Sequence, residues 1–184
     1  MSFPSFSPGE VLNASDMNAV GLWRVTTVSP TAATTIAVNN CFTSDYTNYT
    51  IIVTPISLAS ASDITLRLRV GGTPDTSGNY FLANIFVENT SIQSLGENAT
   101  TNWRAMNIGA AGITGRNSLK FDLYGPAVAT PTRYQMNSGG WSGSQIRYRS
   151  AVGFHDLSTA YDGFDLTASS NITATISVYG YNKS

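Results

Sequence analysis

The feature that most limits this chain is strict alternation of apolar and polar residues. In "ITATISVYGY", Ile172, Ala174, Ile176 and Val178 fall on one side, and Thr173, Thr175, Ser177 and Tyr179 on the other. A period of two is the period of a strand, whose successive side chains point to opposite faces. The same pattern runs through "DITLRLRV", where Ile64, Leu66, Leu68 and Val70 oppose Asp63, Thr65, Arg67 and Arg69. In "SLKFDLY", Leu119, Phe121 and Leu123 alternate with Lys120 and Asp122. In "QIRYRSAV", Ile146, Tyr148 and Val152 alternate with Gln145, Arg147 and Arg149. Each stretch predicts a half-buried antiparallel strand with its apolar side toward the core. Weaker signals predict strands at 23–28, 34–38, 49–54, 81–87, 103–108, 132–137 and 164–168. Between them stand Gly, Pro, Asn and Ser clusters such as "VGGTPDTSGN" and "NSGGWSGS", which read as turns. Roughly nine to eleven short strands punctuated in this way predict an all-β fold, an antiparallel β-sandwich of jelly-roll type. No tandem repeat is present, which argues against a solenoid or propeller.

Composition narrows the partners. Charged residues are 11% of the 184, less than half the ~25% of an average domain. Lys and Arg number 10 against 11 Asp and Glu, for a net charge of -1, and no basic stripe exists. Nucleic acid is therefore not an expected partner. A Thr-, Ser-, Asn- and Gly-rich surface suits neutral partners such as glycans. No apolar run approaches the ~18 residues of a membrane helix, so no membrane insertion is expected. The opening Met1-Ser2-Phe3-Pro4 lacks the basic and apolar regions of a signal peptide. The Asn-x-Ser/Thr triplets at Asn13, Asn48, Asn89, Asn98 and Asn171 then read as chance in a Thr/Ser/Asn-rich chain.

Chemistry for catalysis is sparse. Cys41 is the single cysteine, which excludes an intrachain disulfide and reads as a small buried hydrophobe. His155 is the single histidine. With Cys41 it supplies the residue types of a dyad and no metal-ligand spacing. "GGWSGS" lacks the spacing of a nucleophile elbow, and "GAAGITG" at 109–115 reads as a loop among strands. Asp156, Asp162 and Asp165 in "HDLSTAYDGFD" are the clustered acids, and acids of this kind more often cap turns than hydrolyse glycans or hold Ca²⁺. The expectation is a protein without catalysis, cofactor or metal.

The N-terminal part breaks the alternation. "FSPGEVLNASDMNAVG" offers Asn13 as a helix N-cap, Asp16 in the first turn, Leu12, Met17 and Val20 as a thin apolar face, and Gly21 as a stop. Such a helix of about two turns is marginal alone and needs a surface to dock on. Phe6-Ser7-Pro8-Gly9-Glu10-Val11-Leu12-Asn13-Ala14-Ser15-Asp16-Met17-Asn18 is similar to the "F-x-x-G-x-x-L-x-A-x-D-x-N" segment that opens many phage tail and fibre proteins. "YDGFDLTASSNITATISVYGYNKS", 161–184, resembles the closing strands of fibre head domains, which often end "DG…ITG.I.VYGY", with Thr175 near the place of a Gly. On these stretches, about a fifth of the chain, the protein resembles bacteriophage tail-fibre and receptor-binding proteins.

That resemblance implies a short, trimeric fibre on the virion, made in the host cytoplasm. Residues 1–22 would be a virion-docking segment and 23–184 a β-sandwich head that adsorbs to a host-surface glycan. Phe3, Phe6, Leu12, Met17, Val20 and Trp23 would anchor it on a tail or baseplate protein or at the trimer base. The competing reading of this segment is a cap on the head's own core. Glycans are gripped by aromatic faces with planar polar groups. The candidate receptor contacts are Trp141, Tyr134, Asn137, Gln145 and Arg147 in one loop region and Asn102, Trp103 and Arg104 in another, with His155, Asp156, Tyr161 and Asp162 third. For Trp103 packing is the better reading, and for Trp141 packing and binding stand level. The rivals in function are a baseplate or capsid decoration with a structural role only, and a free lectin-like module. A depolymerase is disfavoured for want of a carboxylate pair.

Overall fold

The computed structural model describes residues 9, 21–108 and 115–181. Among them the chain forms twelve strands and no helix. In chain order they are β1 (Trp23–Val28), β2 (Ala33–Val38), β3 (Asn48–Leu58), β4 (Ser62–Val70), β5 (Thr73–Pro74), β6 (Tyr80–Glu88), β7 (Ser91–Thr100), β8 (Trp103–Ile108), β9 (Ser118–Tyr124), β10 (Thr132–Trp141), β11 (Ile146–His155) and β12 (Gly163–Tyr181). The N-terminal helix expected from Asn13 onward lies outside the described residues.

The strands pair antiparallel in the order β5-β4-β12-β3-β9-β10-β11-β6-β7, with β8 beside β4 and both β1 and β2 beside β12. β12 organises this sheet. Its first half, from Gly163 to Ala168, lies between β4 and β2. Its second half, from Ile172 onward, lies between β3 and β1. Because one strand belongs to two sets of neighbours, the sheet curls and its inner sides meet. Trp103 of β8 lies flat on Tyr134 of β10, with centroids 4.6 Å apart and planes 7° apart. Tyr80 of β6 meets Trp103 edge-on at 5.0 Å. Phe164 of β12 meets Phe121 of β9 in the same way at 5.5 Å. Around these rings pack Ile51, Ile56, Leu66, Leu68, Leu123 and Ile176. Each such side chain gains about 1.5–3 kcal/mol on full burial.

The alternation holds where it was clearest. Ile64, Leu66, Leu68, Leu119, Phe121, Leu123, Ile172, Ile176 and Val178 are all buried. Val70 is the exception, exposed where β4 turns into β5 through Gly71 and Gly72, whose φ of 57° and 78° suit a two-residue hairpin. Two differences have a packing cause. "NSGG" reads as a turn, yet β10 runs through it to Trp141. A Cβ at Gly140 would lie 2.6 Å from Asn117 Oδ1, which accepts the Trp141 N–H at 3.0 Å. Gly140 thus marks a close approach within a strand, not a bend. Also, 164–168 and 172–181 are one continuous strand.

The orientation of β11 is the main correction. Ile146, Tyr148 and Val152 were expected in the core, with Arg147 and Arg149 outside. The reverse is found: Ile146 is 69% exposed and Val152 55%, while Arg149 is 6% exposed and Ala151 2%. Alternation defines two faces but not which of them is covered, and a shift of one residue exchanges the two. Here the decision comes from polar partners across the fold, described next.

Candidate functional site

β6, β7, β10 and β11 lie side by side, and their outer face is unusual. Register places Phe81, Ala83, Ile85 and Val87 of β6 opposite Phe154, Val152, Ser150 and Tyr148 of β11. On the other flank, Ile92, Ser94 and Gly96 of β7 stand opposite Val87, Ile85 and Ala83. Phe81 and Phe154 stack at 4.8 Å. Ile92, Ile146, Val152, Ile85, Tyr148 and Phe154 are all exposed. The small residues Ala83, Ser94, Gly96 and Ser150 leave a shallow groove between Ile85 and Val152. Outward positions of β6, β7 and β11 carry no charge. Every charged residue of these strands (Glu88, Glu97, Arg147 and Arg149) faces inward.

Inside, Glu88, Glu97 and Arg147 are joined in one chain of polar contacts. Arg147 Nε donates to Glu88 Oε1 at 2.7 Å, and its Nη1 donates to Asn107 Oδ1. Asn107 Nδ2 donates to Asp63 Oδ1 at 2.6 Å. Arg104 bridges Asp63 Oδ2 at 3.3 Å and Glu97 Oε1 at 3.0 Å. This chain ties β11 through β8 to β4 and back to β7. It is the physical reason that Arg147 turns inward, since partly buried charges that are paired and hydrogen-bonded are tolerated. Arg149 lies over the Phe86 ring, 5.3 Å from its centroid, and burial pushes its pKa down against the pull of Asp63. Arg104 also forms one wall of a polar cavity of about 480 Å³, with Asp63, Thr65, Glu97, Thr100 and Thr101.

The expected receptor residues separate into three places. Trp103 and Tyr134 are in the interior, 0% and 2% exposed, stacked on each other, where a receptor does not reach. For Trp103 this is the packing reading; for Tyr134 it corrects the assignment as a surface contact, because its flanking polar residues mark a strand, not a loop. Arg104 belongs to the inner polar chain, and Asn102 lines the same cavity. Trp141, Asn137 and Gln145 lie toward the turn end of the β10–β11 hairpin, while Arg147 faces inward, paired with Glu88. Trp141 is half-buried, with the Arg116 guanidinium 5.5 Å from its ring centroid. Tyr148, which the sequence placed in the core, donates its hydroxyl to Asn137 Oδ1 at 2.8 Å on the outer face. Gln145 closes the turn through its backbone N–H to Ser142 Oγ. Of the docking candidates, Phe3, Phe6, Leu12, Met17 and Val20 lie outside the described residues. Trp23 is the first residue of β1, opposite Gly180 of β12.

The third region is a buried network. His155 is fully buried, with Ser77 Oγ 3.3 Å from Nε2. The Tyr161 hydroxyl donates to Asp75 Oδ2 at 2.6 Å, which leaves its oxygen to accept from His155 Nδ1 at 3.2 Å. Burial holds the His155 pKa below its usual value, opposed by Asp75 and Asp156. Although Ser, His and Asp meet here, Asp75 and Ser77 both sit on the Nε2 side, with Asp75 Oδ2 at 3.5 Å. In a hydrolytic triad the acid holds the opposite ring nitrogen from the serine. Asp162 caps the Gly71 N–H, and Asp165 pairs with Arg69 at 3.1 Å. Cys41 donates to the Val38 carbonyl, and burial pushes its thiol up to about 12. Among the described residues no group of three His, Cys, Asp or Glu could hold a metal, and no helix is long and apolar enough to cross a membrane.

Comparison with family models, curated proteins and solved structures returns no match to this chain. The outer face was the feature that sequence reading missed. Its signal was present: Ile85, Ile92, Ile146 and Val152 leave more apolar residues than one core side of these strands requires.

Proposed function

We propose that this chain is a bacteriophage tail-fibre protein whose β-sandwich head, jelly-roll-like in outline, recognises a neutral host-surface glycan without catalysis. The curled antiparallel sheet with its inner sides packed together supports the sandwich reading. The observation that carries the binding role is the end of the β10–β11 hairpin. There a half-exposed Trp141 is flanked by Arg116, and Asn137 and Tyr148 form a polar pair on the same side. An aromatic face bordered by planar hydrogen-bonding groups is the surface that sugars bind. The sequence resemblance of 6–18 and 161–184 supplies the virion setting, with residues 1–22 as the docking segment and a homotrimer as the assembly.

Trp141→Ala is the test. Its side chain is at the surface end of a strand, so the fold should persist with only a small loss of stability. Adsorption to host cells should fall at least about tenfold, as for a stacking residue contributing roughly 1–2 kcal/mol. Unchanged adsorption by a folded, assembled variant removes this site. Failure of the wild-type protein to bind host-surface material at all moves the reading to a decoration protein of the virion.

A further inference from the structure

We propose that the outer face of β6, β7 and β11 is the surface through which copies of this chain associate. The proposal refines the fibre reading by placing its assembly contact, but it stands on the geometry of this face alone.

The first observation is inversion of the usual distribution. A large exposed apolar patch and charges turned inward are the two informative departures from ordinary surface statistics. Both occur on the same three strands, on opposite sides. Ile85, Ile92, Ile146 and Val152 face out, while Glu88, Glu97, Arg147 and Arg149 face in. Folding these strands as a lone protomer leaves the apolar side in water and puts the charges on the half-buried inner side. Cover on the outer face resolves the first half of that arrangement.

The second observation is extent. Three strands of 9 or 10 residues make up the face. At ~4.8 Å between strands and ~3.3 Å per residue it measures about 14 by 30 Å, on the order of 400 Å². The largest apolar patch of a typical monomer is ~300–600 Å², and a standard interface buries ~800 Å² per partner. The face is the size of an apolar patch that marks an interaction site, and the open β7 edge beside it extends the contact.

The third observation identifies the occupant. The centre of the face is lined by Ala83, Ile85, Leu95, Gly96 and Val152 with Ser94 and Ser150; Asn84, which also lines it, is buried, and Asn98 stands at one end beside Phe81 and Phe154. Having no charge, it meets its own copy without like-charge repulsion, which a patch of single sign could not do. Charge returns at the margin, with Arg133 of β10 and Lys120 of β9 both exposed, giving the apolar centre and polar rim of an interface. Among the described residues β7 pairs only with β6. Its ten exposed or half-exposed residues include no Pro or Lys to blunt the edge. A copy's strand can continue the sheet there.

The test is the native mass of the full chain by sedimentation across a concentration series. The comparison is with Ile85→Lys/Val152→Lys and with Thr35→Lys on the far strand β2. All three substituted residues are exposed, so each variant should keep its circular dichroism and cooperative unfolding. The wild type and Thr35→Lys should be oligomers, and the double variant should dissociate at least ~100-fold more readily, because each lysine is an unpaired charge in the contact. A trimer or a dimer supports the interface; a dimer at the same time removes the three-fold part of the fibre reading. A monomeric wild type overturns the proposal. So does an oligomer that the two lysines leave intact, because copies would then meet elsewhere, residues 1–22 included.

Discussion

His155 gives a pH dependence whose sign is set by its surroundings. It is fully buried, and burial holds its folded pKa below the 6.5 of a free histidine. The unfolded chain therefore takes up the proton first as pH falls. Stability due to the neutral ring is whole above pH 6.5 and drains away below it, toward the folded pKa. The slope is at most ~1.4 kcal/mol per pH unit, so the loss is at most about 2 kcal/mol by about pH 5. For a domain with a urea slope of about 2 kcal/mol per M, this lowers the midpoint by up to about 1 M. Asp75 stays out of that window. Burial alone would raise its carboxyl, but hydrogen bonds from Ser77 and Tyr161 and the neighbouring His155 outweigh it, so its own contribution is lost only in stronger acid. Asp165, raised by burial despite Arg69, acts with the opposite sign and gains as pH falls. A His155→Gln variant carries both carboxylates, so the difference between the two proteins isolates the ring. Urea unfolding followed by tryptophan fluorescence from about pH 7.5 to 5 should show the wild type losing its midpoint faster than His155→Gln. Parallel curves, or a wild type that gains stability in that interval, would refute the buried neutral ring. The second result is the mark of a charged His155 paired with Asp75.

Four further outcomes follow from packing and burial. In Gly163→Ala the new Cβ would stand 2.2 Å from the Val38 carbonyl oxygen and 3.0 Å from Asn39 Cα, both backbone, so a loss of at least about 3 kcal/mol is expected. Gly139→Ala, with nothing within 4 Å, should change stability by less than about 0.5 kcal/mol in the same denaturation assay. Arg69→Met strands the buried Asp165 carboxylate and should cost about 3–5 kcal/mol, much of it recovered in Arg69→Met/Asp165→Leu; no recovery in the double variant would mean that the pair is not the cause. Cys41, its thiol pushed up to about 12, should resist a thiol reagent at neutral pH in the folded protein and react at once in urea.

How legible the fold was depended on whether neighbours in sequence or partners across the sheet set the outcome. β4, β9 and β12 alternate cleanly and bury the expected side, because their covered face is filled by large aliphatic residues. β8 matches its predicted span, 103–108, and Trp103 packs as its stronger reading held. β7 was not visible: "SIQSLGENAT" has no alternation, since neither of its faces lies over the core. β11 alternates as clearly as β4 yet faces the opposite way. Glu88 and Asn107, which anchor its Arg147, come from strands 40 or more residues away in sequence. No local window contains that information. The Trp141 end was half legible: Gly and Ser flanks indicated exposure, while the Tyr148–Asn137 contact depended on the same inversion.

β12 has a consequence for the order in which the molecule takes shape. It is the last of the twelve strands, and β1, β2, β3 and β4 all pair with it. During synthesis the hairpins β6–β7 and β10–β11 can close as soon as they leave the ribosome. β1 and β2 must wait until residues 163–181 emerge, more than a hundred positions later. Until then the nascent chain holds two apolar surfaces open, the unclosed core and the outer side of β6 and β11. Contacts of such long sequence separation place folding on the millisecond-to-second scale. Completion of the last strand is therefore the event that commits the chain, and a ribosome stalled before Gly163 would display a product fit only for chaperones or proteases.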